Sequence, residues 1–413
     1  MTVPIQSIII SNFELIFKQE NIASSNYRAT MTYDDFNDIA PFDDSQFQDR
    51  MAQLVTEPGF EHAVRWVMPD VDYPAFVQKL KAIKTQDAFQ HDIMVPFLEL
   101  LASKTTSGIS ASGIDNYELG KNYTMITNHR DIVLDASFLN LCLVRNGRPT
   151  SEVAIGNNLL IFPWIDELVR LNKSFIVKRN MRMTLALEAA KQLSSYIHYA
   201  INQKHQSVWI AQREGRAKDS NDVTQESLVK MLGLAGDGSF IDNIREINLM
   251  PVAISYEFDP NDYLKAKEFL LKRNDPEFKK SQRDDLFSME TGLLQYKGKV
   301  HFTLTPCINK QLEQLSPAEN RTEAIHQICQ IIDKAIHSGY KSYPINYIAY
   351  DELTGTRTFA NKYTQADIES VNTYIDSQLS KVDLPNLSTQ DMNYMREMML
   401  TMYANPLRNQ MKL

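Results

Sequence analysis

Cysteine is scarce in this 413-residue chain: Cys142, Cys307 and Cys329 make up the whole complement, and they lie far apart. An odd, scattered set excludes a disulfide framework and a Cys-x-x-Cys metal site, and it points to a reducing cytosol. A surplus of positive charge is missing as well. With 43 Lys and Arg against 51 Asp and Glu the formal charge is −8, whereas general attraction to nucleic acid comes from a basic surface. No nucleic-acid partner is expected, although a local basic pocket stays open. Long apolar runs are also absent: "MVPFLELLA" and "NLLIFPWI" fall well short of the roughly 18 residues that a spanning helix needs. The early run "SIIISNFELIF" lacks a basic lead-in and carries Asn12 and Glu14, so it does not read as a signal peptide. The expectation is a cytoplasmic protein whose membrane contact is peripheral, on the cytoplasmic face.

Several catalytic signatures are missing too. His129-Arg130-Asp131 matches the triplet that opens a protein-kinase catalytic loop, but that loop needs Asn five residues beyond its Asp, and position 136 is Ala. There is no Gly-x-Gly-x-x-Gly, Asp-Phe-Gly, His-Glu-x-x-His or Gly-x-Ser-x-Gly. Kinase, zinc-protease and serine-hydrolase chemistry are thereby disfavoured. His62, His91, His198, His205, His301, His326 and His337 show no ligand spacing, so structural roles are assigned to them and no metal is expected.

What remains is an ordinary globular composition, 43% apolar and 23% charged, in a chain longer than one typical domain. From about Asp34 to Lys104 the apolar residues recur three and four apart, as in "DDSQFQDRMAQLV" and "FQHDIMVPFLELLASK", which predicts helices. The Ser/Gly-rich "TTSGISASGIDN", Thr105 to Asn116, reads as a connector. Beyond it short β-branched runs ("NYTMITN", "EVAIG", "SFIVK", "SVWIAQ", "NLMPVAISY", "VHFTLTP") alternate with amphipathic stretches. That alternation predicts an α/β fold, a mixed and largely parallel sheet flanked by helices. In "RTEAIHQICQIIDKAIHSG", Ile325, Ile328, Ile332 and Ile336 share one helical face. The resulting division is an N-terminal helical region over 1–115, an α/β domain over 116–345 and a mainly helical extension over 346–413.

His129 lies just past a predicted strand, and ligands of open α/β sheets bind outside the carboxyl ends of strands. A general base there needs a carboxylate to orient it, and Asp131 and Asp135 are the near ones. Asp131 stands immediately before the apolar-periodic run, the place of a helix N-cap. Asp135, a turn further on, is therefore the expected partner. Two other strand ends carry basic clusters: Lys178 and Arg179 in "KSFIVKRNMR", and Arg213, Glu214, Gly215, Arg216 and Lys218 in "SVWIAQREGRAKD". Guanidinium forks beside a Gly that permits close backbone approach suit a phosphate.

Taken in order, these segments resemble the four blocks of the glycerophosphate acyltransferase superfamily, the glycerol-3-phosphate and 1-acylglycerol-3-phosphate O-acyltransferases. "TNHRDIVLD" resembles the first block, with five residues between His129 and Asp135 where the family has four. "AIGNNLLIFPWIDELVRLNKSFIVKR", "AQREGRAKD" and "NLMPVAISYE" resemble the second, third and fourth. The resemblance implies catalysis by His129 with Asp135, and acceptor binding by Lys178, Arg179, Arg213, Glu214, Gly215, Arg216 and Lys218. It implies transfer of a fatty acyl group from a coenzyme A or acyl-carrier-protein thioester to a hydroxyl of glycerol 3-phosphate or a lysophospholipid, in phospholipid biosynthesis, with no cofactor. A different hydroxyl acceptor such as an amino-acid lipid, and a non-enzymatic lipid- or acyl-carrier-binding protein of the same fold, are the alternatives.

Overall fold

The computed structural model describes residues 32–179, 181–315 and 320–413, apart from the side chains of Met183 and Thr184. The "SIIISNFELIF" run lies outside the described residues. Short runs rich in β-branched and aromatic residues form the strands: β1 (Gly108–Ser112), β2 (Thr124–Thr127), β3 (Glu152–Gly156), β4 (Ser174–Val177), β5 (Val208–Ala211), β6 (Leu249–Tyr256) and β7 (Lys299–Leu304). They make one sheet in the order β1-β7-β6-β2-β5-β3-β4. Only β6 and β7 run antiparallel to each other; the other neighbours are parallel.

Successive strand residues point to opposite faces, and here both faces are covered. Met125 and Trp209 pack on the face that carries the helices Val95–Thr105 and Leu134–Arg145. Ile126 and Ile210 pack on the other, against Met183–Asn202 and Arg321–Ser338. The Ile325, Ile328, Ile332 and Ile336 stripe is buried there, as its spacing predicted.

The six expected strands occur where their sequences placed them. The seventh corrects the reading of Thr105 to Asn116 as a connector, because Gly108–Ser112 pairs with β7, Ile109 opposite Val300 and Ala111 opposite Phe302. Apart from Ile109 the strand is Gly, Ser and Ala, which have little strand preference of their own, and the pairing edge of β7 supplies the order.

Two helical layers flank the sheet. Helices Asp44–Leu54, Pro58–Val67 and Tyr73–Ala82 share a core of Phe47, Met51, Leu54 and Leu80, which Leu171 joins from helix Pro163–Leu171. At the other end, helices Pro344–Thr354, Gln365–Leu379 and Thr389–Met411 pack with helix Asp262–Asn274. That last helix matters because its first turns touch the loop that carries His129.

Candidate active site

β2 ends at Thr127, and the next residue continues the sheet through its side chain. Asn128 Nδ2 donates to the Ile254 carbonyl (3.0 Å) while Asn128 Oδ1 accepts from the Ile254 N–H (2.8 Å). This fastens the start of the loop to β6 and projects His129 beyond the strand end. The imidazole stands edge-on to Trp209, ring centroids 5.9 Å apart. Its Nδ1 lies 2.9 Å from Asp135 Oδ2, which also accepts the backbone N–H groups of Arg130 (2.6 Å) and Asp131 (3.1 Å). Asp135 is fully buried. With Nδ1–H directed at a carboxylate, the basic lone pair falls on Nε2, and His129 lines a cleft.

Asp131 does something else. Its Oδ1 accepts from the Val133 and Leu134 N–H groups at 2.9 and 2.8 Å, at the start of helix Leu134–Arg145. Its Oδ2 accepts from Asn261 Nδ2 at 3.1 Å. Burial, then the nearby Asp135 charge, raises the Asp131 carboxyl above its ordinary range. The residue between the two, Arg130, turns inward and pairs through both terminal nitrogens with Asp222, at 2.7 and 2.5 Å. Asp222 also accepts from the Tyr340 hydroxyl, and the Arg130 carbonyl accepts from Lys265 Nζ at 3.1 Å. Arg130 is thus anchored to the loop after β5 and to helix Asp262–Asn274. Nothing in the sequence marked Asp222 or Lys265.

The cleft in front of His129 has a volume of about 2220 Å³. One part is apolar, walled by Phe60, Val64, Leu80, Phe89, Ile93 and Leu98 from the N-terminal helices. The basic residues read from strand ends gather in the same cleft: Lys178, Arg179, Arg213, Glu214, Gly215, Arg216 and Lys218 all line it. They are not equivalent. Lys178 is held by Asp38 and by Gln192 Oε1. Arg179 takes its backbone bond to Asn157 Oδ1 and stands 4.0 Å from Glu214 Oε1. Gly215 adopts φ +69° with open space where a Cβ would be, so the turn needs glycine for its backbone conformation. Arg213 Nε and Arg216 Nη1 are buried without hydrogen-bond partners, a costly state for charged groups. Lys218 rests on the buried carboxylate of Glu268. Sequence reasoning missed Lys280, which also lines the cleft.

Residues 108–253 match the family model described as Acyltransferase, a span that contains His129, Asp135 and both basic strand ends. No curated protein matches the chain. One similar solved structure is the 1-acyl-sn-glycerophosphate (LPA) acyltransferase PlsC from Thermotoga maritima, at 12% identity and TM-score 0.35, covering 69% of this chain and 95% of that one. Over residues 108–253 the chain is therefore similar to the acyltransferases that this family model describes.

Proposed function

We propose that the protein moves a fatty acyl group from an acyl thioester, of coenzyme A or an acyl carrier protein, to a hydroxyl of glycerol 3-phosphate or a lysophospholipid. His129 Nε2 takes the hydroxyl proton as the oxygen attacks the thioester carbonyl. The tetrahedral intermediate collapses with cleavage of the C–S bond, and the departing sulfur receives the proton from the imidazolium. Asp135 holds the ring and stabilises its positive charge; the step needs no cofactor and no acyl-enzyme. General base catalysis of this kind contributes roughly a hundred- to ten-thousand-fold, and fixing the acceptor beside the base supplies more.

The observation that carries this reading is the convergence, in one cleft, of an oriented imidazole, an apolar wall and two guanidinium nitrogens, Arg213 Nε and Arg216 Nη1, buried without partners. The apolar part suits an acyl chain. Arg213 and Arg216 suit the phosphate of the acceptor. No helix among the described residues is long and apolar enough to cross a membrane, yet Trp66, Leu100, Phe162 and Met181 along the cleft are exposed. Such a rim suits contact with a lipid surface, from which an amphipathic acceptor could enter.

The test is an assay of purified protein with labelled acyl thioesters against glycerol 3-phosphate, lysophospholipids and hydroxyacyl amino-acid lipids. Transfer to a phosphorylated glycerol acceptor is expected. Transfer only to another hydroxyl would move the acceptor assignment, and binding of thioester without turnover would make the protein a carrier rather than an enzyme.

A further inference from the structure

The loop that carries His129 is gripped at one peptide unit from both sides. The amide between Arg130 and Asp131 presents its carbonyl to Lys265 Nζ at 3.1 Å and its N–H to Asp135 Oδ2 at 3.1 Å. A trans peptide is planar, with its C=O and N–H pointing opposite ways, so Lys265 and Asp135 hold the two ends of one rigid dipole. Asp135 Oδ2 is the same oxygen that faces His129 Nδ1 at 2.9 Å. Lys265 itself is only 2% exposed and is not among the residues lining the cleft, so it acts on the loop and not on a substrate. It lies on helix Asp262–Asn274, outside residues 108–253. The lysine is fixed in its turn: Asp259 Oδ2 accepts from its Nζ at 2.5 Å, and the Asp259 N–H donates to the Tyr403 hydroxyl at 3.0 Å. Tyr403 belongs to helix Thr389–Met411, and its own hydroxyl donates to Asp262 Oδ2 at 2.8 Å.

We infer that Lys265 is a positioning residue: by fixing the Arg130–Asp131 peptide it holds Asp135 Oδ2, and through it the His129 ring, in one orientation, and it ties that orientation to the C-terminal helices. Without the lysine the Arg130 carbonyl would be a buried acceptor lacking a partner, and the peptide would gain by turning away from Asp135 to find one. Burial lowers the Lys265 pKa while the Asp259 charge opposes that shift; an amine donates to the carbonyl whether or not it is charged. For its kinetic consequence the inference rests on the acyl-transfer reading, but the geometry of the ring can be followed without turnover.

Lys265→Met alone would leave the Asp259 carboxylate buried without its cation, a strongly destabilising change, so the test compares two variants of the full chain that share Asp259→Asn. Asp259→Asn by itself keeps the Lys265 donor; Asp259→Asn with Lys265→Met removes it. In steady-state thiol release the double variant should lose kcat by roughly tenfold to a hundredfold relative to Asp259→Asn, the range for a lost hydrogen bond from a charged group, with KM for donor and acceptor unchanged. The readout that needs no turnover is the nitrogen NMR signal of the His129 ring, assigned by its loss in His129→Gln. The neutral ring should keep its proton on Nδ1 in Asp259→Asn and shift toward a mixture of the two tautomers in the double variant. Hydrogen exchange on the unmutated chain needs no variant: the Asp131 N–H should be protected, and rapid exchange there would overturn the inference. Equal kcat and ring signals in the two variants overturn it too, as does a loss confined to KM, which would put Lys265 against a substrate. Absence of any acyl transfer by the unmutated protein, alongside the stated response of the ring signal, would refute the functional reading and leave the positioning role in place.

Discussion

Replacing Asp135 with Asn removes one negative charge from the most enclosed position of the site while leaving its shape almost unchanged. Asp135 Oδ2 accepts from His129 Nδ1, Arg130 N and Asp131 N at 2.9, 2.6 and 3.1 Å. An amide oxygen in the same place keeps all three donors, so the loop and the fold should persist. What is lost is the attraction between the carboxylate and the imidazolium that forms as the acceptor is deprotonated. With charge centres about 4 Å apart and an effective dielectric of about 20, that attraction is about 4 kcal/mol, and by transition-state arithmetic about a thousandfold in rate. The assay is steady-state release of free thiol from an acyl thioester, with circular dichroism and thermal melting to certify the fold. Asp131→Asn is the internal control. Its new amide oxygen still caps the Val133 and Leu134 N–H groups, and Asn261, whose Oδ1 is buried without a partner, can turn that oxygen toward the new amide nitrogen. Asn caps helices about as well as Asp, so Asp131→Asn should stay within roughly tenfold of wild type. A folded Asp135→Asn variant with near wild-type turnover, or a larger loss in Asp131→Asn, would refute the pairing as the source of catalytic power.

Arg216→Ala should raise KM for a phosphorylated acceptor by roughly tenfold or more, since hydrogen bonds to charged groups contribute about 1.5–3 kcal/mol, with the donor KM held; a loss confined to the donor would reassign the guanidinium. Asp262, which starts the helix that packs on the His129 loop, is a stability probe. Burial pushes its carboxyl up to about 6 even though the Tyr374 and Tyr403 hydroxyls donate to it. Its folded pKa therefore exceeds the unfolded one, so its contribution is full below about pH 4 and is lost as pH rises through about 6, at most ~3 kcal/mol. Asp262→Asn should melt above wild type at pH 7 to 8 and converge with it toward pH 4; a gap that widens in acid contradicts the sign. Phe162, 48% exposed on the cleft rim, should matter for lipid contact, so Phe162→Asp should reduce co-sedimentation with anionic vesicles while the melting temperature holds.

Local pattern was enough for six of the seven strands, the Ile stripe of Arg321–Ser338 and the assignment of Asp131 to a helix start, because period and capping chemistry depend on near neighbours in the chain. The spacing of His129 and Asp135 likewise put the two groups within a turn of each other. Gly215 and the basic strand ends were legible for the same reason: strand ends in a parallel sheet converge on one edge whatever the connections between them. Other features were decided only by tertiary contact. β1 exists because β7 offers a pairing edge, not because Gly-Ile-Ser-Ala-Ser prefers a strand. Lys178 and Arg216 look alike in sequence, but Asp38, 140 residues from Lys178, occupies one, while Arg216 Nη1 is buried without a partner. Arg130 meets Asp222 across 92 residues, and Lys280 lines the cleft from the segment between helices Asp262–Asn274 and Gln282–Leu294. Whether a charge is paired or free to bind depends on which distant group folds against it, and that is a property of packing rather than of sequence pattern.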